Sequence, residues 1–194
     1  MHAPARMFCA GRYLGETTVA MTSRTTLFWA FLAFAAAPAS AAKPVGAALM
    51  CLRTLPVPKD LADVVASAGF ASPDRLRLSD ARRVDDMVAA CEADRTRHDG
   101  YARYLRAHLM ALVQSVSIEA EGITPSVVDG VLAKRRTELM AGGEASDAML
   151  DAINAALIRS GVKVENIGDE GWYQLGGYIA SHAAMAETEA NLRR

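Results

Sequence analysis

Ten positions from Val84 to Val116 follow one another at alternating spacings of four and three: Val84, Val88, Cys91, Arg95, His98, Ala102, Leu105, Leu109, Leu112 and Val116. That spacing stacks side chains on one face of an α-helix, so the chain is organised around a long helix packed lengthwise against its neighbours. A strand needs strict alternation, and the run that alternates, Val162 to Ile167, is too short and solitary to make a sheet. It reads as a loop or an extended connector. Arg95 and His98 are wrong for a core seam and sit in the polar stretch Glu92 to Gly100. The pattern therefore predicts a break near the turn-favouring pair Asp99-Gly100, or a continuous helix with a polar girdle.

Shorter helical signals flank this spine. Val45 to Thr54 is apolar and stops at Leu55-Pro56-Val57-Pro58, where X-Pro pairs impose extended backbone. Lys59 to Ala68 places Leu61, Val64, Val65 and Ala68 at helical spacing, with Gly69 suited to the end. Ser72-Pro73 has the form of a cap followed by proline, and Ser79 precedes Asp80 as the cap of the spine. Thr124-Pro125 repeats that signature and opens a helix to about Met140, burying Val127, Val128, Val131 and Leu132 and ending at Ala141-Gly142-Gly143. Ser146 caps the next, with Met149, Leu150, Ile153 and Leu157 on one side and Gly161 at its end. Asp169 and Glu170 head a last helix with Trp172, Leu175, Ile179, Ala183 and Ala186 facing inward. Within it Gly176-Gly177 lets another helix approach closely. The expected fold is an all-α compact bundle of five or six helices with one long central helix.

The first 41 residues stand outside that pattern. Arg24, the apolar run Leu27 to Ala37, Pro38 and the small-x-small Ala39-Ser40-Ala41 together read as a signal peptide over residues 21–41. The run is too short to span a hydrocarbon core of about 30 Å, so membrane contact is expected only transiently, during export. Residues 1–20, which include Cys9, read as a mis-assigned start or a leader, and 42–194 as a single helical domain. The expected location is periplasmic or secreted.

Charge then narrows the classes of partner. The chain has 21 basic and 22 acidic side chains. Setting aside Arg6, Arg12, Arg24 and Glu16 leaves 18 against 21, a net charge of −3 for residues 42–194. No basic stripe that could neutralise phosphates is visible, and Lys134-Arg135-Arg136 is flanked by acids, so nucleic-acid binding is not expected. Cys51 and Cys91, an even pair in an oxidising compartment, are expected to form a disulfide. Closing a loop of that length stabilises a fold by roughly 4 kcal/mol in the chain-entropy description.

Chemistry-bearing motifs are scarce. There is no haem-attachment, zinc-protease, nucleophile-elbow or phosphate-loop pattern. The catalytic candidates are the girdle residues Asp94, Arg95, His98 and Asp99, where Asp94 and His98 share a helix face as a minimal acid–base pair. His108 and His182 read as core-edge residues. No metal and no cofactor are expected, since His98 and His108 would stand about 15 Å apart on one helix. Tyr101, Tyr104, Tyr173 and Tyr178 are either seals of a small core or an interaction surface for a protein partner. The sequence thus favours an exported helical protein acting by protein–protein contact, of inhibitor, adaptor or immunity type, over an enzyme. The rival is a small-ligand binder or enzyme using the girdle around His98.

Overall fold

The computed structural model describes residues 43–68, 76–91, 94–140 and 145–194. The expected leader and signal peptide, Cys9, Gly69, Ser72-Pro73 and Ala141-Gly142-Gly143 lie outside the described residues. Within them the chain is helical throughout, with eight α-helices and two single 3-10 turns. The helices are α1 Val45–Thr54, α2 Lys59–Ala68, α3 Leu78–Cys91, α4 His98–Ala120, α5 Pro125–Lys134, α6 Arg136–Met140, α7 Asp147–Arg159 and α8 Asp169–Leu192. The 3-10 turns are Arg95–Arg97 and Val164–Asn166.

Most boundaries sit where local chemistry puts them. Leu55 is extended (φ −61°, ψ 136°) because the following proline excludes the helical region, and α1 ends there. Ser146 accepts a hydrogen bond from the Met149 backbone N–H at 3.2 Å and caps α7. Gly161, at φ 91°, ends it, and the Val162 N–H reaches back to the Leu157 carbonyl at 3.0 Å. Helix α3 begins one residue before the expected cap, so Ser79 lies inside its first turn, and the Arg77 carbonyl receives the Asp80 and Ala81 N–H groups.

The spine is two helices rather than one, and it breaks before Asp99-Gly100. Asp94 accepts from the Thr96 N–H at 3.0 Å and the Thr96 hydroxyl at 2.6 Å, a local bond that competes with helix continuation. Gly100 lies inside the first turn of α4, where it is needed for packing. A Cβ there would stand 2.7 Å from Leu192 Cδ2. Because α4 starts afresh at His98, the seam does not carry through: Leu112 and Val116 are exposed. The helix expected from Thr124 to Met140 is likewise divided at Arg135 into α5 and α6. These two divisions take the expected six helices to eight. Trp172 and Leu150 are exposed, against the inward positions expected of them.

The longest helices, α4 and α8, run antiparallel and share the largest contact in the molecule. Their register is fixed by glycines: Gly100 faces Leu192, Gly177 lies beneath Gln114, and Gly171 lies against Glu121. Around this pair are two buried clusters. One joins α1, α2, α3 and the first half of α4 through Leu49, Leu52, Leu61, Val88, Tyr101 and Leu105. The other joins α5 to α8 and the second half of α4 through Ile118, Val128, Ile153, Leu157, Leu175 and Ile179. The expected disulfide is present: Cys51 and Cys91, with Cα atoms 5.5 Å apart, tie α1 to the last residue of α3.

Candidate functional site

The α4–α8 register has a chemical consequence. On α4, Tyr104 and His108 are one turn apart, and on α8 Tyr178, His182, Met185 and Glu189 recur at spacings of four, three and four. These stretches fall opposite one another, between the Gly100–Leu192 and Gln114–Gly177 contacts. Asp129 on α5, Arg136 on α6 and Arg53 in the last turn of α1 close the space from the sides. The result is a cleft of about 340 Å³.

Glu189 anchors one wall. Its side chain is only 9% exposed and takes three guanidinium groups: Arg193 Nη2 to Oε1 at 2.6 Å, Arg53 Nη2 to Oε2 at 3.3 Å, and Arg136 Nη2 to Oε2. Burial alone would raise this carboxyl. The hydrogen bonds of Arg193 and Arg136, with their charges, overcome that and hold it below the usual glutamate range. Arg53 also donates through Nε to the Tyr104 hydroxyl and lies 5.6 Å from the centre of that ring. Burial lifts the Tyr104 phenol above its ordinary value despite the facing Arg53, so the hydroxyl stays neutral.

Asp129 anchors the other wall. The buried Tyr178 hydroxyl donates to Asp129 Oδ1 at 2.7 Å, and His182 Nε2 stands 3.5 Å from the same oxygen. The Tyr178 and His182 rings pack with centroids 4.6 Å apart. Burial first, then Asp129, pushes the Tyr178 phenol well above its ordinary value. Burial likewise lowers both imidazoles. Arg53 and His182 add to the effect at His108, whereas at His182 the Asp129 charge partly offsets it and Arg53 reinforces it. Near neutral pH the cleft therefore holds two neutral imidazoles and the Tyr104 phenol, with the guanidinium groups of Arg53 and Arg136 set against Asp129 and Glu189.

The girdle does not form a site. Asp94 is occupied with Thr96 and Arg97, Arg95 and Asp99 are exposed, and His98 reaches Asp85 on α3 at 3.3 Å instead of Asp94. All four sit at the α3–α4 junction, outside the cleft. The four tyrosines do not share a surface either. Tyr101, Tyr104 and Tyr178 are buried, each held in a helix–helix interface, and Tyr173 is 76% exposed. Tyr104 lines the cleft with the His108 and His182 that the sequence places at the core edge, and Tyr178 touches its lining through Asp129 and His182. A signal for this was present: Tyr104/His108 and Tyr178/His182 repeat one Tyr-x-x-x-His spacing on two different helices. Arg53, Asp129, Arg136 and Glu189 were not singled out, because each lies in an ordinary charged turn.

Among the described residues no group of three or more His, Cys, Asp or Glu side chains is placed to hold a metal ion, and no helix is long and apolar enough to cross a membrane. No family model matches the chain, and no curated protein or solved structure is detectably similar to it.

Proposed function

We propose that this protein is an exported helical binding protein whose cleft receives the anionic group of a small molecule. The observation that carries the reading is the convergence of Arg53 and Arg136 on Glu189 at the cleft wall. The two arginine side chains are 42% and 45% exposed, while the carboxylate they share is almost fully covered. Such arms hold their counter-ion loosely at the solvent side and can turn planar donor pairs toward a second anion. A concave site of a few hundred cubic ångströms with convergent polar groups is the usual form of a small-molecule pocket. Oxidative export agrees with the Cys51–Cys91 bridge.

Protein contact, the reading favoured by the sequence, retains Tyr173 alone of its four tyrosines. The cleft is the better supported site. Thermal unfolding in the presence of carboxylates, phosphates and uncharged analogues tests the proposal. Anions should raise the melting temperature of the wild-type chain, and the shift should be lost in Arg53→Ala/Arg136→Ala. A panel without any anion-dependent shift would remove the reading and leave protein contact standing.

A further inference from the structure

The cleft has a neighbour. A second cavity, of about 400 Å³, lies between α4, α5 and α8 and is lined by Ala111, Leu112, Ser115, Pro125, Ser126 and Tyr178. It shares His108, Asp129, His182 and Met185 with the first, so the two adjoin across that group. Their chemistry differs sharply. The first lobe contains Arg53, Arg136 and Glu189, whereas the residues belonging to the second alone include no charged side chain. A polar lobe and a weakly polar lobe, joined side by side, fit the two ends of one molecule.

We infer that the ligand is a single-chain amphiphilic anion, with its carboxylate or phosphate head on Arg53 and Arg136 and its hydrocarbon tail in the Ala111–Leu112–Pro125–Tyr178 lobe. This rests on the anion-binding reading above and narrows it. Charge sets the head group. Arg53 and Arg136, half-exposed at the wall of the first lobe, are its two cationic side chains, so the anionic end of the molecule is the end they take. The tail is set by the adjoining lobe. Leu112, 40% exposed at its rim, is an apolar side chain that the helical core leaves uncovered. Met185, common to both lobes, is a flexible thioether able to adjust as a chain passes it. At the junction the imidazoles are neutral, and the one carboxylate there, Asp129, accepts from the Tyr178 hydroxyl.

Titration calorimetry of the full chain with butyrate, decanoate, decanol and decyl phosphate separates the possibilities. Each methylene taken out of water contributes about fourfold in affinity when fully buried. Decanoate is accordingly expected to bind about 100-fold or more tightly than butyrate, and decanoate and decyl phosphate both more tightly than decanol. Ser126→Trp, which fills the second lobe from an exposed position, should abolish most of the difference between decanoate and butyrate while leaving butyrate binding intact. Ser115→Phe offers a second, independent filling of the same lobe. Equal affinity for butyrate and decanoate, or a chain-length dependence untouched by both fillings, would overturn the inference and leave anion binding in place. Decanol binding as tightly as decanoate and decyl phosphate would overturn the choice of an anionic head group. No binding of any anion would bring down the inference together with the reading beneath it.

Discussion

Two regions beside the α4–α8 pair are held together by different means. Around Cys51–Cys91, the short helices α1 to α3 are covalently tied to each other and pack an apolar cluster that includes Leu52, Leu61 and Val88. At the cleft, α1, α4, α6 and α8 also meet through charge: three guanidinium groups are gathered by one buried carboxylate, and one of them, Arg53, also donates to the Tyr104 hydroxyl. A disulfide acts mainly by restricting the unfolded chain and is indifferent to pH and salt. A carboxylate knot acts in the folded state, and its strength depends on protonation and solvent screening. The first arrangement suits a part that only has to persist. The second suits a part that exchanges partners with a ligand.

Breaking the covalently tied region should have the largest effect. Cys51→Ala/Cys91→Ala, or reduction under native conditions, should remove about 4 kcal/mol of stability in denaturant titrations. A loss below about 1 kcal/mol would mean that the apolar cluster alone holds α1 to α3. Glu189→Gln comes next. It keeps the shape of the side chain but removes the charge shared by three guanidinium groups. The expected cost is about 1–2 kcal/mol, below that of breaking a fully buried pair, because the arginine side chains remain 42–61% exposed.

Acidification should weaken the cleft region selectively. His108 and His182 are held neutral in the fold, so between their lowered folded values and the ordinary histidine value of 6.5 the unfolded chain binds more protons. Stability is then full above about pH 6.5 and declines as pH falls below it. The Glu189 contribution lies lower still: it is present above the ordinary glutamate value of 4.5 and is lost as pH falls through its depressed folded value. Melting curves followed across this range should lose part of the upper slope in His108→Gln and in His182→Gln. An unchanged slope in both would contradict the burial assigned to these rings.

The smallest effects probe the α4–α8 packing beyond the cleft. A Cβ on Gly176 meets nothing within 4 Å, and Gly176→Ala should stabilise α8 by about 0.5–1 kcal/mol through helix propensity alone. A Cβ on Gly177 would stand 2.2 Å from Gln114 Nε2, so Gly177→Ala must displace that side chain and should gain less. Equal gains at the two positions would show that Gln114 moves without cost.

What the sequence made legible was local. Pro56 and Pro58, Thr124-Pro125, Ser146 and Gly161 each act within a turn of the backbone they shape: the ends they mark stand close to the expected positions, whereas the division at Arg135, which no such residue marks, does not follow from the pattern. The disulfide follows from the count of two cysteines in residues 42–194. The break at Asp94 was less legible, because a single side-chain bond to Thr96 decides it and Gly100 resembles a turn residue while serving as a packing residue. The cleft was legible only as a repeated Tyr-x-x-x-His spacing. Its charged members, Arg53, Asp129, Arg136 and Glu189, come from four helices, and only the α4–α8 register brings them to one place.

Titration calorimetry of decanoate into the wild-type chain and into Arg53→Ala/Arg136→Ala, with folding verified by circular dichroism, tests the cleft most directly. Saturable binding of one decanoate per chain, weakened about tenfold or more in the variant, is the expected result, since hydrogen bonds to charged groups contribute about 1.5–3 kcal/mol each. Affinity that stays the same without the two arginines would show that the cleft is only a clamp between helices.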